Sequence, residues 1–260
     1  MRFAILCLFI ALTVTGRVVG QDSISWIKIN HAFFDLRYSK SDSSVTQAIG
    51  SDLEKGRRVI AGYFGSEFQD HFTVYIFPNR VELDKEWRKD WHSPEFNSEC
   101  WMVASGVGDR LDILSPLDWT KDACDHRVND SAELQQIIVH ELVHVFHGQR
   151  NPTRTFDGMD DLSWFVEGLA TFVSGQLTNE RVARVRSNLK EGKAPARLSQ
   201  LWTGKDKYGQ AGSFIGFLEK KFGRETIIRL LPYTDLASIL AFLKTDETSL
   251  LSEWKKNMLE

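Results

Sequence analysis

The chain has 260 residues, 42% of them hydrophobic, and a formal net charge of −3 at pH 7. That length and apolar content suffice for a sizeable core, in one large domain or two small lobes. A slight acidic excess without any long basic run argues against nucleic acid as a partner.

The first twenty residues read as an export signal. Arg2 is a short basic start, and Phe3 to Val14 is an apolar run too short for a permanent membrane span. Val18-Val19-Gly20 offers cleavage positions before Gln21. Cleavage after Gly20 leaves 30 basic residues against 35 acidic ones, a net charge of −5. An uncleaved anchor is the other reading. Cys7 lies inside the apolar run without the small residue before it that a lipoprotein site needs. The expected location is secreted or periplasmic, with no stable membrane insertion after cleavage. Cys100 and Cys124 then remain. In an oxidising compartment they can pair, closing a loop that contributes roughly 3 kcal/mol. Two buried free thiols are the alternative.

Ser25 to Asn30 and Phe33 to Tyr38 alternate as strands do, and His31 between them reads as structural or exposed. Ser43 to Tyr63 reads as a helix with Val45, Ile49, Leu53, Val59, Ile60 and Tyr63 on its apolar side. Phe72 to Phe77 is a β-branched and aromatic run closed by Pro78-Asn79, the pattern of a buried strand. Val81 to Trp91 predicts a charged, surface-facing helix. Trp101 to Pro116 predicts strands with a hairpin turn at Gly108-Asp109-Arg110. Asp118 to Val128 is polar and irregular.

Ser131 to His147 follows the cap-type residues Asn129, Asp130 and Ser131, has no Pro or Gly, and contains His140-Glu141-Leu142-Val143-His144. On a helix, residues four apart sit about 40° from each other, so both imidazoles can reach one metal ion. Glu141 is offset by about 100° and is placed to take a proton from a water on that metal. Ile138, Val139, Leu142, Val145 and Phe146 fall on the opposite arc, so an apolar face and a histidine face are expected. This helix ends near Gly148.

Thr153 to Asp161 is a polar loop. Leu162 to Leu177 predicts a helix that is apolar at almost every position except Glu167. An unpaired buried charge costs several kcal/mol, so Glu167 needs a partner. A metal is one candidate; a salt bridge or an exposed stripe are others. Arg181 to Glu191 reads as a charged helix and Gly192 to Lys207 as a connector. Tyr208 to Phe222 reads as a helix whose Gly209, Gly212 and Gly216 suit tight packing. Arg224 to Leu231, Asp235 to Leu243 and Ser249 to Leu259 are expected as short helices.

H-E-L-V-H at His140 to His144, followed by W-F-V-E-G-L-A at Trp164 to Ala170, resembles the gluzincin metallopeptidases. Tyr208 to Leu218 is similar to the tail of peptidase MA-like domains. The resemblance spans roughly Trp101 to Leu231. It implies His140, His144 and Glu167 as ligands of one zinc ion, Glu141 as general base, and Tyr208 as a candidate donor to the oxyanion. A metzincin assignment fails, because Phe146-His147-Gly148-Gln149-Arg150 lacks the required glycine-then-histidine order. His147 is therefore read as structural or as support for the ligands. Three departures from the family stand out. The aminopeptidase G-x-M-E-N signature is absent, Val166 stands where many relatives carry Asn, and Thr171 replaces an acidic residue that orients a ligand histidine.

The expected fold is α+β. A small N-terminal mixed sheet lobe with helices (about 21–128) packs on a mainly helical C-terminal lobe (about 129–260), with the zinc cleft between them. Residues 21–260 would form one peptidase MA-like catalytic domain after a signal peptide at 1–20. The expected activity is that of a secreted zinc metallopeptidase, an endopeptidase rather than an aminopeptidase, acting on peptide or protein. A strand near Val103 to Leu114 would hold the substrate extended. The rival reading is a secreted binding or scaffold protein that keeps this fold without turnover.

Overall fold

The computed structural model describes residues 24–127 and 130–260. The expected signal segment, with Cys7, and the residues Val128 and Asn129 lie outside the described residues.

The fold is α+β. Strands β1 (Ile27–Asn30), β2 (Phe34–Tyr38), β3 (Phe72–Phe77), β4 (Ala104–Val107) and β5 (Arg110–Leu114) form one sheet in the order β1-β2-β3-β5-β4. The outer pairs β1/β2 and β4/β5 are antiparallel and the inner pairs β2/β3 and β3/β5 are parallel. The period of two decides which residues face which layer. Phe72, Val74 and Ile76 of β3, with Leu111 and Ile113 of β5, join the main core. Phe77 and Leu114 turn to the other face, where they meet Leu83, Trp87 and Trp119.

Helix α1 (Ser43–Phe64) covers the inner face of the sheet, and α2 (Arg80–Asp90) the outer face. The expected surface-facing character of α2 holds only for part of it. Leu83, Asp84 and Trp87 are buried, and the Trp87 indole donates to Asp112 Oδ2 at 3.0 Å. After the short α3 (Trp119–Asp122) come α4 (Ser131–Gly148), α5 (Ser163–Val173), α6 (Asn179–Lys190), α7 (Lys207–Phe222), α8 (Arg224–Leu230), α9 (Leu236–Leu243) and α10 (Glu247–Leu259). One apolar cluster runs from the sheet through α1 and α4 into α5, α7 and α10.

Other sequence expectations also need correction, and Val59, expected on the apolar side of α1, is exposed. The helix carrying Glu167 stops at Val173 instead of reaching Leu177, because Gly175 takes a left-handed φ of 76° and turns the chain. Helix α4 is buried all the way from Ile137 to Gly148 rather than on one apolar face. The sheet and α1 cover one side of it, and the histidine side sits under β4 and α5.

Cys100 and Cys124 are disulfide-bonded, with Cα atoms 5.2 Å apart. The bond ties the loop entering β4 to the segment after α3. Among the described residues no helix is long and apolar enough to cross a membrane.

Candidate metal centre and active site

Helix α4 starts where the Asp130 carboxylate accepts the backbone N–H groups of Ala132 and Glu133, both at 3.1 Å. This satisfies two of the donors that every helix leaves free at its N-terminus. From that start the helical repeat brings His140 and His144 onto one row, with ring centroids 4.8 Å apart. Helix α5 crosses over this row. Its approach is set at Gly168, where a Cβ would stand 2.7 Å from the carbonyl oxygen of Ala211 in α7. Only a residue without a side chain lets α5 and α7 meet this closely. The glycines of α7 play the same part: Gly209 abuts Val185, Gly212 abuts Thr171 and Gly216 abuts Phe172.

Glu167, one residue before Gly168, is thereby aimed at the two imidazoles. Its Oε2 lies 3.3 Å from His140 Nε2 and 3.7 Å from His144 Nε2. One ligand atom from each of the three residues falls within 4.8 Å of the other two. Burial would raise the Glu167 pKa, but the charges of His144 and His140 outweigh it and hold the carboxyl well below the usual range. The Glu167 carboxyl therefore stays ionised at the point where the three side chains converge.

The other nitrogens of these rings, Nδ1 of His140 and of His144, are buried without a hydrogen-bond partner among the described residues. A proton on Nδ1 leaves the Nε2 lone pairs free to point at a cation. Two imidazoles and a carboxylate at this spacing are a donor set that would fit a zinc ion. With no partner on either Nδ1 among the described residues, packing helps to orient the rings. Phe156 stands 6.0 Å from the His144 ring and Tyr208 stands 6.3 Å from the His140 ring. Phe156 does so with a φ of 64°, an uncommon conformation for a bulky residue that the surrounding packing has to hold. Thr171 does not serve either histidine; its hydroxyl donates to the Glu167 carbonyl at 2.8 Å.

Glu141 lies on the β4 side of α4. Burial pushes its carboxyl up to about 7, against the lowering effect of His140 and of a hydrogen bond from the Gly106 backbone N–H. A carboxylate in that range is suited to exchanging protons near neutrality. His147, one turn past His144, takes no part in the cluster. It is fully buried, it donates from Nε2 to the Leu231 carbonyl at 3.1 Å, and it packs on Phe156 and Phe165.

The four residues open onto a cleft of about 1030 Å³. Strand β4 forms one wall, and its outer edge has no strand partner among the described residues. Phe156, Met159 and Val166 line one part of the cleft, and Trp101, Arg181, Trp202, Lys207 and Tyr208 line another. Tyr208 is held raised in pKa by burial and by the neighbouring Glu167 and Glu141. Its phenol therefore stays protonated and able to donate. Sequence reasoning brought His140, Glu141, His144, Glu167 and Tyr208 forward, and the fold collects all five in this cleft. It missed Arg181 and Lys207, which nothing in a charged helix or a polar connector marks out.

No protein-family model matches the chain, and no curated protein does. Solved structures with related backbones include an M1 zinc metallopeptidase from Deinococcus radiodurans, with a TM-score of 0.47. Another is a two-domain M1 zinc metallopeptidase mutant bound to L-arginine, with a TM-score of 0.46. Each is 14% identical, and the match covers 87% of this chain and 48% of the other. The chain thus spans about half the length of those structures. The chemistry of the site rests on its own side chains.

Proposed function

We propose that this chain is an exported zinc-dependent metallopeptidase and that residues 21–260 act as one peptidase MA-like catalytic domain. One observation carries the reading: His140, His144 and Glu167 converge within 4.8 Å beside a buried Glu141, in a cleft walled by β4, whose outer edge has no strand partner among the described residues. His140, His144 and Glu167 would hold a single zinc ion, which would supply Lewis acidity when bound. Glu141 accepts a proton from the attacking water and passes it to the departing amine. The Tyr208 hydroxyl donates to the carbonyl oxygen as that oxygen gains negative charge. The edge of β4 holds the substrate extended through backbone hydrogen bonds.

Endopeptidase action is part of the proposal. The sequence lacks the G-x-M-E-N element that captures a free amino terminus, and the cleft is long enough to lie along β4. Export is supported by the N-terminal apolar segment and by the Cys100–Cys124 disulfide, a bond that persists in oxidising compartments.

The test is a digest of casein and of a mixed peptide library by the purified protein, with zinc measured by mass spectrometry. Cleavage that a chelator abolishes and added zinc restores is expected, together with a fall of at least about a hundredfold in Glu141→Gln at unchanged zinc content. Wild-type turnover by zinc-loaded Glu141→Gln would end the proposed mechanism.

A further inference from the structure

Two cations stand over the ring of Tyr208 and form no salt bridge among the described residues. The Arg181 guanidinium carbon lies 5.1 Å from the ring centroid and Lys207 Nζ lies 5.4 Å from it. Both side chains line the cleft of the metal cluster. Arg181 spends one N–H on the Gln176 carbonyl at 2.8 Å. Lys207 is held by rings alone, with Trp101 at 4.9 Å and Trp202 at 4.5 Å.

The nearby carboxylates are already engaged. Arg184 takes both Glu180, at 3.3 Å, and Asp206, at 3.1 Å, and Asn188 donates to Asp206 as well. Among the described residues no carboxylate oxygen comes within 4.0 Å of Arg181 or Lys207. A half-buried cation without a partner is costly unless something else supplies the negative charge. Burial accordingly holds the Arg181 guanidinium below its ordinary pKa.

We infer that Arg181 and Lys207 form a carboxylate-binding subsite of the cleft, which takes an acidic side chain or the free C-terminal carboxylate of a bound peptide. The inference rests on the peptidase reading for the peptide itself and adds the chemistry that selects it. Guanidinium and ammonium are the groups that bind carboxylates most strongly through charge-assisted hydrogen bonds. The placement suits a residue close to the reacting bond. The Tyr208 ring is 6.3 Å from the His140 ring, and the two cations lie 5.1 and 5.4 Å from the Tyr208 ring centroid. Both are therefore within about three residues of extended peptide from the metal ligands. Trp101 reaches the same ammonium from the disulfide-tied loop before β4, so both walls of the cleft help to fix the subsite.

Glu141→Gln protein, in which turnover is blocked, allows binding to be read alone through the fluorescence of the cleft tryptophans. The probes are one neutral peptide with an amidated C-terminus, the same peptide with Glu replacing Gln at successive positions, and its free C-terminal acid. At least one charged form should bind about tenfold tighter than the neutral peptide at low salt. That preference should shrink toward unity when Arg181→Gln or Lys207→Gln is added. The side-chain and C-terminal arms identify which carboxylate is taken. Equal affinity for all the peptides, or a preference that survives both substitutions, overturns the subsite. If wild-type protein cuts the neutral peptide while no preference exists, the subsite alone fails. If a charge preference appears and wild-type protein cuts nothing, the peptidase reading fails and the subsite stands.

Discussion

A Cβ atom on Gly106 would stand 2.4 Å from the carbonyl oxygen of Glu141. Strand β4 lies so close on α4 that no side chain fits between them at this point. The contact puts the outer edge of β4, which has no strand partner among the described residues, directly beside the residue proposed to move protons. Gly106→Ala should therefore push β4 off α4. Overpacking of this kind costs about 1–3 kcal/mol, or about 2–4 °C of melting temperature per kcal/mol for a chain of this size. Gly62→Ala is the control, since a Cβ there meets nothing within 4 Å and alanine is the better helix former. Thermal melts should separate the two variants, and a Gly106→Ala protein as stable as Gly62→Ala would contradict the packing.

Metal content tests the cluster without reference to turnover. Purified protein should carry about one zinc per chain, and His144→Ala and Glu167→Gln should each lose most of it. Full retention of zinc in both variants would remove these residues as ligands.

Tyr208→Phe deletes one hydroxyl and leaves the ring packed against Trp202 and His140. If the phenol donates to the developing oxyanion, kcat should fall by about a hundredfold with zinc still bound. A folded, zinc-loaded variant with wild-type kcat would show that the ring serves packing alone.

His147 sets a limit on acid stability. Burial holds its pKa down at about 3, helped by the charge of His144, although the Leu231 carbonyl favours the protonated form. Its Nε2 donates to that carbonyl and its buried Nδ1 has no partner, so a second proton would have nowhere to bond. The unfolded chain binds that proton near pH 6.5, its ordinary value. Stability from this group is therefore complete above about 6.5 and is lost as pH falls toward about 3. Denaturant melts at a series of pH values should show a steep loss across this window. His147→Gln, which keeps a donor but cannot titrate, should flatten it. An unchanged slope in His147→Gln would assign the acid sensitivity elsewhere.

Local physics was written plainly in the chain. The cap at Asp130 and the 3.6-residue repeat placed α4, and the spacing of four put His140 and His144 on one row before any tertiary contact was known. Period-two alternation placed β1 and β2, the β-branched and aromatic run from Phe72 to Phe77 placed β3, and the turn at Gly108-Asp109-Arg110 placed the β4–β5 hairpin. These features depend on neighbours within a few residues, which is the range over which backbone geometry alone operates. Whether Glu167 would meet a metal site, a salt bridge or solvent was open, because that depends on how close α5 can come to α4 and α7. The close approach of Gly168 to Ala211 brings Glu167 to His140 and His144. The Cys100–Cys124 pairing was likewise one of two readings until the chain path brought the Cα atoms to 5.2 Å. Trp101, Arg181 and the adjacent pair Lys207-Tyr208 come from three separate segments of the chain. Their meeting at one end of the cleft depends on helix crossings and loop paths, which residue spacing along the chain does not record.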